Sequence, residues 1–178
     1  MRSILTVFYD QHDVECNQKY NKTLPYSFHL KAVEAQCCKY LTLVPEDARH
    51  YIKIAAAGHD LIEDARLTYN DIIDIMKAWG YKLEVPKLTA DIIYSCTELK
   101  GRNRSERQGP EFFDILKKNR LGVFVKLCDI MSNSLFSTLT VSSMLDKYKA
   151  EFPHLKEQLY VEGEYDPIWK DLEKILGS

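Results

Sequence analysis

Apolar residues recur at steps of three and four along nearly the whole chain, and that period admits one fold class, the helical one. Leu5, Phe8, Tyr9 and His12 share a face of a helix expected from Arg2 to about Lys19. Thr23-Leu24-Pro25 interrupts the pattern, and a second helix starting near Tyr26 carries Leu30, Val33, Cys37 and Leu41 on one side. Pro45 followed by Glu46 and Asp47 marks a helix start, with acids beside the positive end of the dipole. That third helix is expected to run through Tyr51, Ile52 and Ala55 to Glu63. Thr68 and Asp71 have the spacing of a capping box, and Gly80 supplies the matching stop after Trp79. Further helices fit Pro86 to Thr97, Pro110 to Lys118, Leu121 to Phe136, Met144 to Tyr160 and Pro167 to Leu176. No tight-hairpin signal, repeat or linker intervenes. The expectation is an all-α helical bundle, a single domain over residues 1–178.

A chain of 178 residues that is 46% apolar can bury one sizeable core. Its 24 Lys and Arg against 26 Asp and Glu give a net charge of −2, which excludes a general nucleic-acid coat. An anionic ligand would have to be held by a local basic cluster. The cysteines Cys16, Cys37, Cys38, Cys96 and Cys128 are odd in number and form no C-x-x-C pair. They read as reduced thiols in a cytoplasmic protein. No apolar run approaches the ~20 residues that span a bilayer, so no membrane partner is expected. Oligomeric state is left open.

Chemistry concentrates in Gly58-His59-Asp60-Leu61-Ile62-Glu63-Asp64. On a helix, positions 59, 60, 63 and 64 lie at about 0°, 100°, 40° and 140°, taking ~100° per residue. One imidazole and three carboxylates thus share a continuous flank. The run Ile54-Ala55-Ala56-Ala57 before them is small and apolar, as in a buried helix. Buried carboxylates need a cation, and a neighbouring imidazole favours a transition metal over Lys or Arg. Taken alone, the segment also fits an exposed helix end. Two further positions bear on the choice. His29 sits beside Leu30, Ala32 and Val33, and Asp129 interrupts the apolar run Val125 to Met131, with Asn133 one turn later. An unpaired Asp in such a helix would be expensive to bury.

The ordered set His29, His59-Asp60 and Asp129 resembles the H…HD…D signature of the HD-domain metal-dependent phosphohydrolases. It is most similar to the hydrolase domain of the RelA/SpoT alarmone enzymes and to the small alarmone hydrolases. Pro25-Tyr26-Ser27-Phe28-His29 resembles their P-Y-x-x-H, and His59 to Asp64 resembles their H-D-x-x-E-D, with Thr68 beyond. Thr97-Glu98-Leu99-Lys100, with Glu106 further on, resembles T-x-L-K and a later E-x-Q. Lys126-Leu127-Cys128-Asp129 with Asn133 resembles K-L-A-D followed by Asn. The likeness spans about Leu5 to Phe136 and leaves residues 137–178 as C-terminal helices without a motif.

The resemblance implies an HD-domain bundle in which His29, His59, Asp60 and Asp129 hold one divalent ion, Mn²⁺. Glu63 and Asp64 would orient and deprotonate the attacking water, and the reaction would remove pyrophosphate from the 3′ position of a guanosine alarmone such as (p)ppGpp. Substrate contacts are expected from Lys100, Arg102 and Arg104 in a basic loop, and from Asn133 at the ribose. Where the family usually carries a basic pair ahead of Pro-Tyr, this chain has Tyr20-Asn21-Lys22, so Tyr20 would stack and Lys22 would supply charge. Ile130, Leu135 and Phe136 replace family polar positions after Asp129. Two alternatives stand beside this. One is action on another nucleotide or on a pyrophosphorylated tRNA 3′ end, in an antitoxin-like role linked to a toxin synthetase. The other is a catalytically silent module that binds a nucleotide.

Overall fold

The computed structural model describes residues 3–177, apart from the side chain at position 105, and is helical throughout save one small hairpin. Arg2, the expected start of the first helix, lies outside the described residues. Helix α1 (Ile4–Asp10) is capped by the Ser3 side chain, which accepts the Thr6 N–H. The helix then widens into a π turn over Gln11–Glu15 and stops short of Lys19. In place of further helix, β1 (Lys19–Tyr20) pairs antiparallel with β2 (Leu24–Pro25), Tyr20 opposite Leu24. The expectation of helix to Lys19, with no hairpin, is corrected here. The turn takes its left-handed residues from Asn21 and Lys22, at φ 47° and 68°, and Asn17 at φ 47° ends the preceding stretch. Asn tolerates that region, so no Asn-Gly signal was needed.

Asp13 in the π turn accepts the backbone N–H of Ser27 at 3.0 Å, which ties the π turn to the start of α2 (Ser27–Lys39). Helix α3 (Arg49–Gly58) follows a short 3₁₀ turn, and α4 (Tyr69–Ala78) begins on the expected Thr68–Asp71 capping box. After α5 (Glu84–Cys96) come the short α6 (Arg104–Arg107), α7 (Pro110–Lys118) and the long α8 (Arg120–Leu139). Helices α9 (Met144–Leu159) and α10 (Asp166–Leu176) close the chain. No helix among the described residues is long and apolar enough to cross a membrane.

Helix α8 is the axis of the bundle. It packs on α2 and α5 from the N-terminal part and on α7, α9 and α10 from the C-terminal part. Val123, Phe124, Leu127, Cys128 and Met131 on α8 are buried in one apolar cluster that also takes in Phe8, Ile52, Ile93, Trp169 and Leu172. The C-terminal helices therefore belong to the same core. Tyr40 and Lys39 at the end of α2 clamp α10 through Asp171, at 2.7 and 3.0 Å.

Helices α5 and α8 approach closely at Gly122, where an added Cβ would lie 2.0 Å from Ser95 Oγ. That hydroxyl is buried and donates to the Ile92 carbonyl at 2.7 Å, so it has to leave its partner to make room. Gly122→Ala is expected to destabilise the fold by about 1–3 kcal/mol despite its better helix propensity. Ser95→Ala in the same chain should restore part of the loss, as read from urea midpoints. Equal midpoints for Gly122→Ala and the parent chain would show that the contact gives way freely.

Candidate metal centre

Helix α3 ends at Gly58, five residues before the expected Glu63, and the chain turns over Gly58–Asp64. Leu61 N–H bonds back to the Gly58 carbonyl, and Asp64 N–H to the Asp60 carbonyl. Arg66, at φ 59°, then sends the chain away. The four polar groups are therefore not a flank of one helix. The turn does more than a helix would: it swings neighbouring side chains together, so that His59 Nε2 and Asp60 Oδ2 stand 3.1 Å apart.

Opposite this turn, α2 presents His29 and α8 presents Asp129. His29 Nε2 lies 3.3 Å from His59 Nε2, 3.6 Å from Asp60 Oδ2 and 3.2 Å from Asp129 Oδ1. His59 Nε2 is 3.7 Å from the same Asp129 oxygen. Donors held ~2.1 Å from one divalent cation stand about 3.0–3.4 Å from one another; three of the five separations fall in that range, and those of 3.6 and 3.7 Å lie just beyond it. His29, His59 and Asp129 are all buried, and together they form a group able to hold a metal ion. Asp60 Oδ2 adjoins both imidazoles from outside that group.

The supporting contacts orient these donors. His59 Nδ1 donates to the Ala56 carbonyl at 2.9 Å, which leaves the Nε2 lone pair aimed at the centre. Asn133 Nδ2 donates to Asp129 Oδ1 at 2.6 Å, and Tyr20 hydroxyl in turn donates to Asn133 Oδ1 at 2.8 Å. Lys126, one turn before Asp129, places Nζ 3.2 Å from Asp129 Oδ2. Burial opposes charge on that lysine, but Asp129, Glu63, Glu98 and Asp60 outweigh it and raise its pKa. Burial likewise opposes charge on both imidazoles, and the paired carboxylates outweigh it, so both pKa values rise. Asp60 and Asp129 are held well below the usual carboxylate range: burial works against this, but His59 for Asp60 and Lys126 for Asp129 lead the opposing pull. Protons and a metal would thus compete for the same nitrogen lone pairs.

The donors open on a cleft of about 140 Å³. Its lining includes five carboxylates, Asp60, Glu63, Asp64, Glu98 and Asp129, against only Arg104 and Lys126. An anion entering this cleft would be repelled without a cation at its base, so the charge balance points the same way as the geometry. Glu63 and Asp64 sit differently. Asp64 Oδ2 accepts from Tyr26 hydroxyl at 2.7 Å and from Gln18 Nε2 at 3.0 Å, so it is held in place. Glu63 accepts only the Glu98 backbone N–H, at 3.3 Å, among its hydrogen bonds in the cleft. Although Glu63 is exposed as a residue, its carboxyl lies among protein atoms. Burial first, then the charges of Glu98 and Asp60, push it up to about 7 against the pull of Lys126.

Of the expected substrate contacts, Tyr20, Arg104 and Asn133 line the cleft. Tyr20 is not free to stack on a ligand ring from that position: it already stacks on His29, with centroids 5.0 Å apart and planes 13° from parallel. Asn133 is engaged with Asp129. Lys22 is at the hairpin tip, and Lys100 is exposed. Arg102 is 91% exposed and paired with Glu106 at 3.0 Å. These three do not line the cleft.

Four residues in the site were given no role from sequence: Tyr26, Gln18, Glu98 and Lys126. Tyr26 hydroxyl lies 2.7 Å from both Asp60 Oδ2 and Asp64 Oδ2 and tethers the turn to the start of α2. Its ring is stacked on buried His12, which donates through Nδ1 to Gln18 Oε1 at 2.8 Å. Glu98 accepts from Arg107 at 2.8 Å and from Gln108. The available signal was the motifs themselves, since Tyr26, Glu98 and Lys126 lie in the stretches that carry the resemblance, and Gln18 lies outside them. Tyr26→Phe is expected to weaken metal binding about 10–100-fold, the usual effect of losing an outer partner. Metal titration followed by calorimetry would read it, and an unchanged affinity would make the tyrosine a packing residue only.

No protein-family model matches the chain, and no curated protein or solved structure matches it either.

Proposed function

We propose that the chain is a divalent-metal-dependent phosphohydrolase of the HD type, with Mn²⁺ held by His29, His59, Asp60 and Asp129. The observation that carries this reading is the convergence of two imidazoles and two carboxylates from α2, the turn after α3, and α8. A cation bound there would supply a Lewis acid for a phosphoryl oxygen and acidify a water. The chain's own part begins with Glu63, which can take a proton from the attacking water at neutral pH. Asp64, held by Tyr26 and Gln18, orients that water. Arg104 and Lys126 offset charge on the phosphate at the cleft wall.

Within this class, the sequence resemblance favours release of pyrophosphate from the 3′ position of (p)ppGpp. The tRNA alternative would draw on the basic loop around Arg104. The arginines of the loop that was to contact a polynucleotide are each ion-paired within the chain: Arg102 with Glu106, Arg104 with Glu151, and Arg107 with Glu98. The test is incubation of the Mn²⁺-loaded protein with ppGpp, simple nucleotides and pyrophosphorylated tRNA, with analysis of the phosphate products. Metal-dependent pyrophosphate release from ppGpp, abolished by a chelator, is the expected result. Retained metal with no turnover would leave a silent binding module, and no metal retention would overturn the reading.

A further inference from the structure

Beside the acidic cleft lies a second and larger space, a chamber of about 480 Å³ between α7, α8 and α9. Phe112, Phe113, Ile130, Phe152 and Leu155 form its walls, and Tyr148 stands near its polar side. The chamber is partly open to solvent, a pocket in the side of the bundle, and its lining is mainly apolar. The size is that of a small-molecule site, about 300–1,000 Å³.

The chamber and the cleft share two residues, Arg104 and Lys126. They are also the two cations that line the cleft. Arg104 is held over the Tyr148 ring at 5.6 Å, and its buried Nε stands 3.2 Å from Glu151 Oε2 without the alignment of a hydrogen bond. A guanidinium has five N–H donors, so this one pairing leaves others that an anion at the junction would engage. The opposite flank of the cleft offers no comparable room. There Tyr20 lies against His29, with Phe28 and Phe136 packed on Tyr20 at 6.1 and 4.8 Å between centroids.

We infer that the chamber is the ring-binding subsite of this enzyme. A planar aromatic group of the substrate inserts between Phe113, Tyr148 and Leu155, while its phosphate lies at the junction against Arg104 and Lys126. This deepens the phosphohydrolase reading and rests on it for the direction of the phosphate. The ring can be a nucleobase or an aryl group, both of which present a flat apolar face to aromatic walls.

Binding of inorganic phosphate, 1-naphthyl phosphate and guanosine 5′-monophosphate is measured by calorimetry, with and without saturating Mg²⁺. At least one ring-bearing phosphate is expected to bind about tenfold or more tighter than inorganic phosphate, through the buried ring area. Leu155→Trp, which fills the chamber, should remove that advantage and leave inorganic phosphate unchanged. The larger gain for the guanosine ester would assign the site to a nucleobase, and for the naphthyl ester to an aryl group. In the unaltered chain, nuclear Overhauser contacts should run from the ligand ring to Phe113 and Tyr148, a readout that does not depend on a variant folding. No advantage for either ring, or no such contacts, overturns the subsite. Metal titration is read separately, so loss of the metal reading and loss of the subsite give different results.

Discussion

Asp129→Asn is expected to lower metal affinity by more than about 100-fold, beyond the 10–100-fold range of outer partners, and to abolish metal-dependent turnover. The amide keeps the volume and can still accept from Asn133, but it removes the negative charge facing two imidazoles and Lys126. Asp129→Ala goes further. It takes the nearest counter-charge from the buried Lys126 ammonium and leaves it Glu63, Glu98 and Asp60, so the loss in stability should fall below the about 3–5 kcal/mol of a fully broken buried pair. Combining it with Lys126→Met should recover much of the stability and none of the metal binding. Metal content of the dialysed protein and thermal melts would separate the two effects. A fully loaded, active Asn variant would remove Asp129 from the ligand set.

Glu63→Gln is expected to keep the metal and lower turnover about 10²–10⁴-fold, the range for loss of a general base. Glutamine preserves the acceptor for the Glu98 N–H but cannot take a proton. The pH profile adds a second readout. A base must be deprotonated, so activity should rise with pH through the Glu63 pKa. Burial sets that value near 7, and a bound cation would pull it lower, so the acid limb falls at or below about pH 7. In the glutamine variant the limb should disappear from the residual rate. Normal turnover in that variant would move water activation to another group, with Asp64 next in place.

How much of this was legible in the chain differs from element to element. The capping box at Thr68, the proline at the start of α7 and the apolar spacing of α8 located those helices closely, because each is a local signal. The end of α3 was not legible. Gly58 reads as one more small residue in an alanine run, and the demand for a glycine there is set by packing, since an added Cβ would lie 2.9 Å from Phe8, Leu61 and Ile93. The hairpin was missed for a related reason, since Asn21-Lys22 reaches the left-handed region without a glycine.

The site shows the same division. By itself, the sequence determined that His29, His59, Asp60 and Asp129 were the out-of-place polar residues, because a titratable group in an apolar helix needs a partner wherever it lies. The convergence of His29, Asp129 and the His59–Asp60 turn at 3.2–3.7 Å could come only from tertiary packing, since Asp129 is a hundred residues from His29 and no local rule sets that distance. Packing also decided which basic residues face the cleft. Arg102 and Arg104 look alike in sequence, yet only Arg104 is covered by Tyr148 and Glu151 from α9 and turned to the junction with the apolar chamber. Side-chain identity sets what chemistry is available, and the long-range burial of one helix against another sets where it is spent.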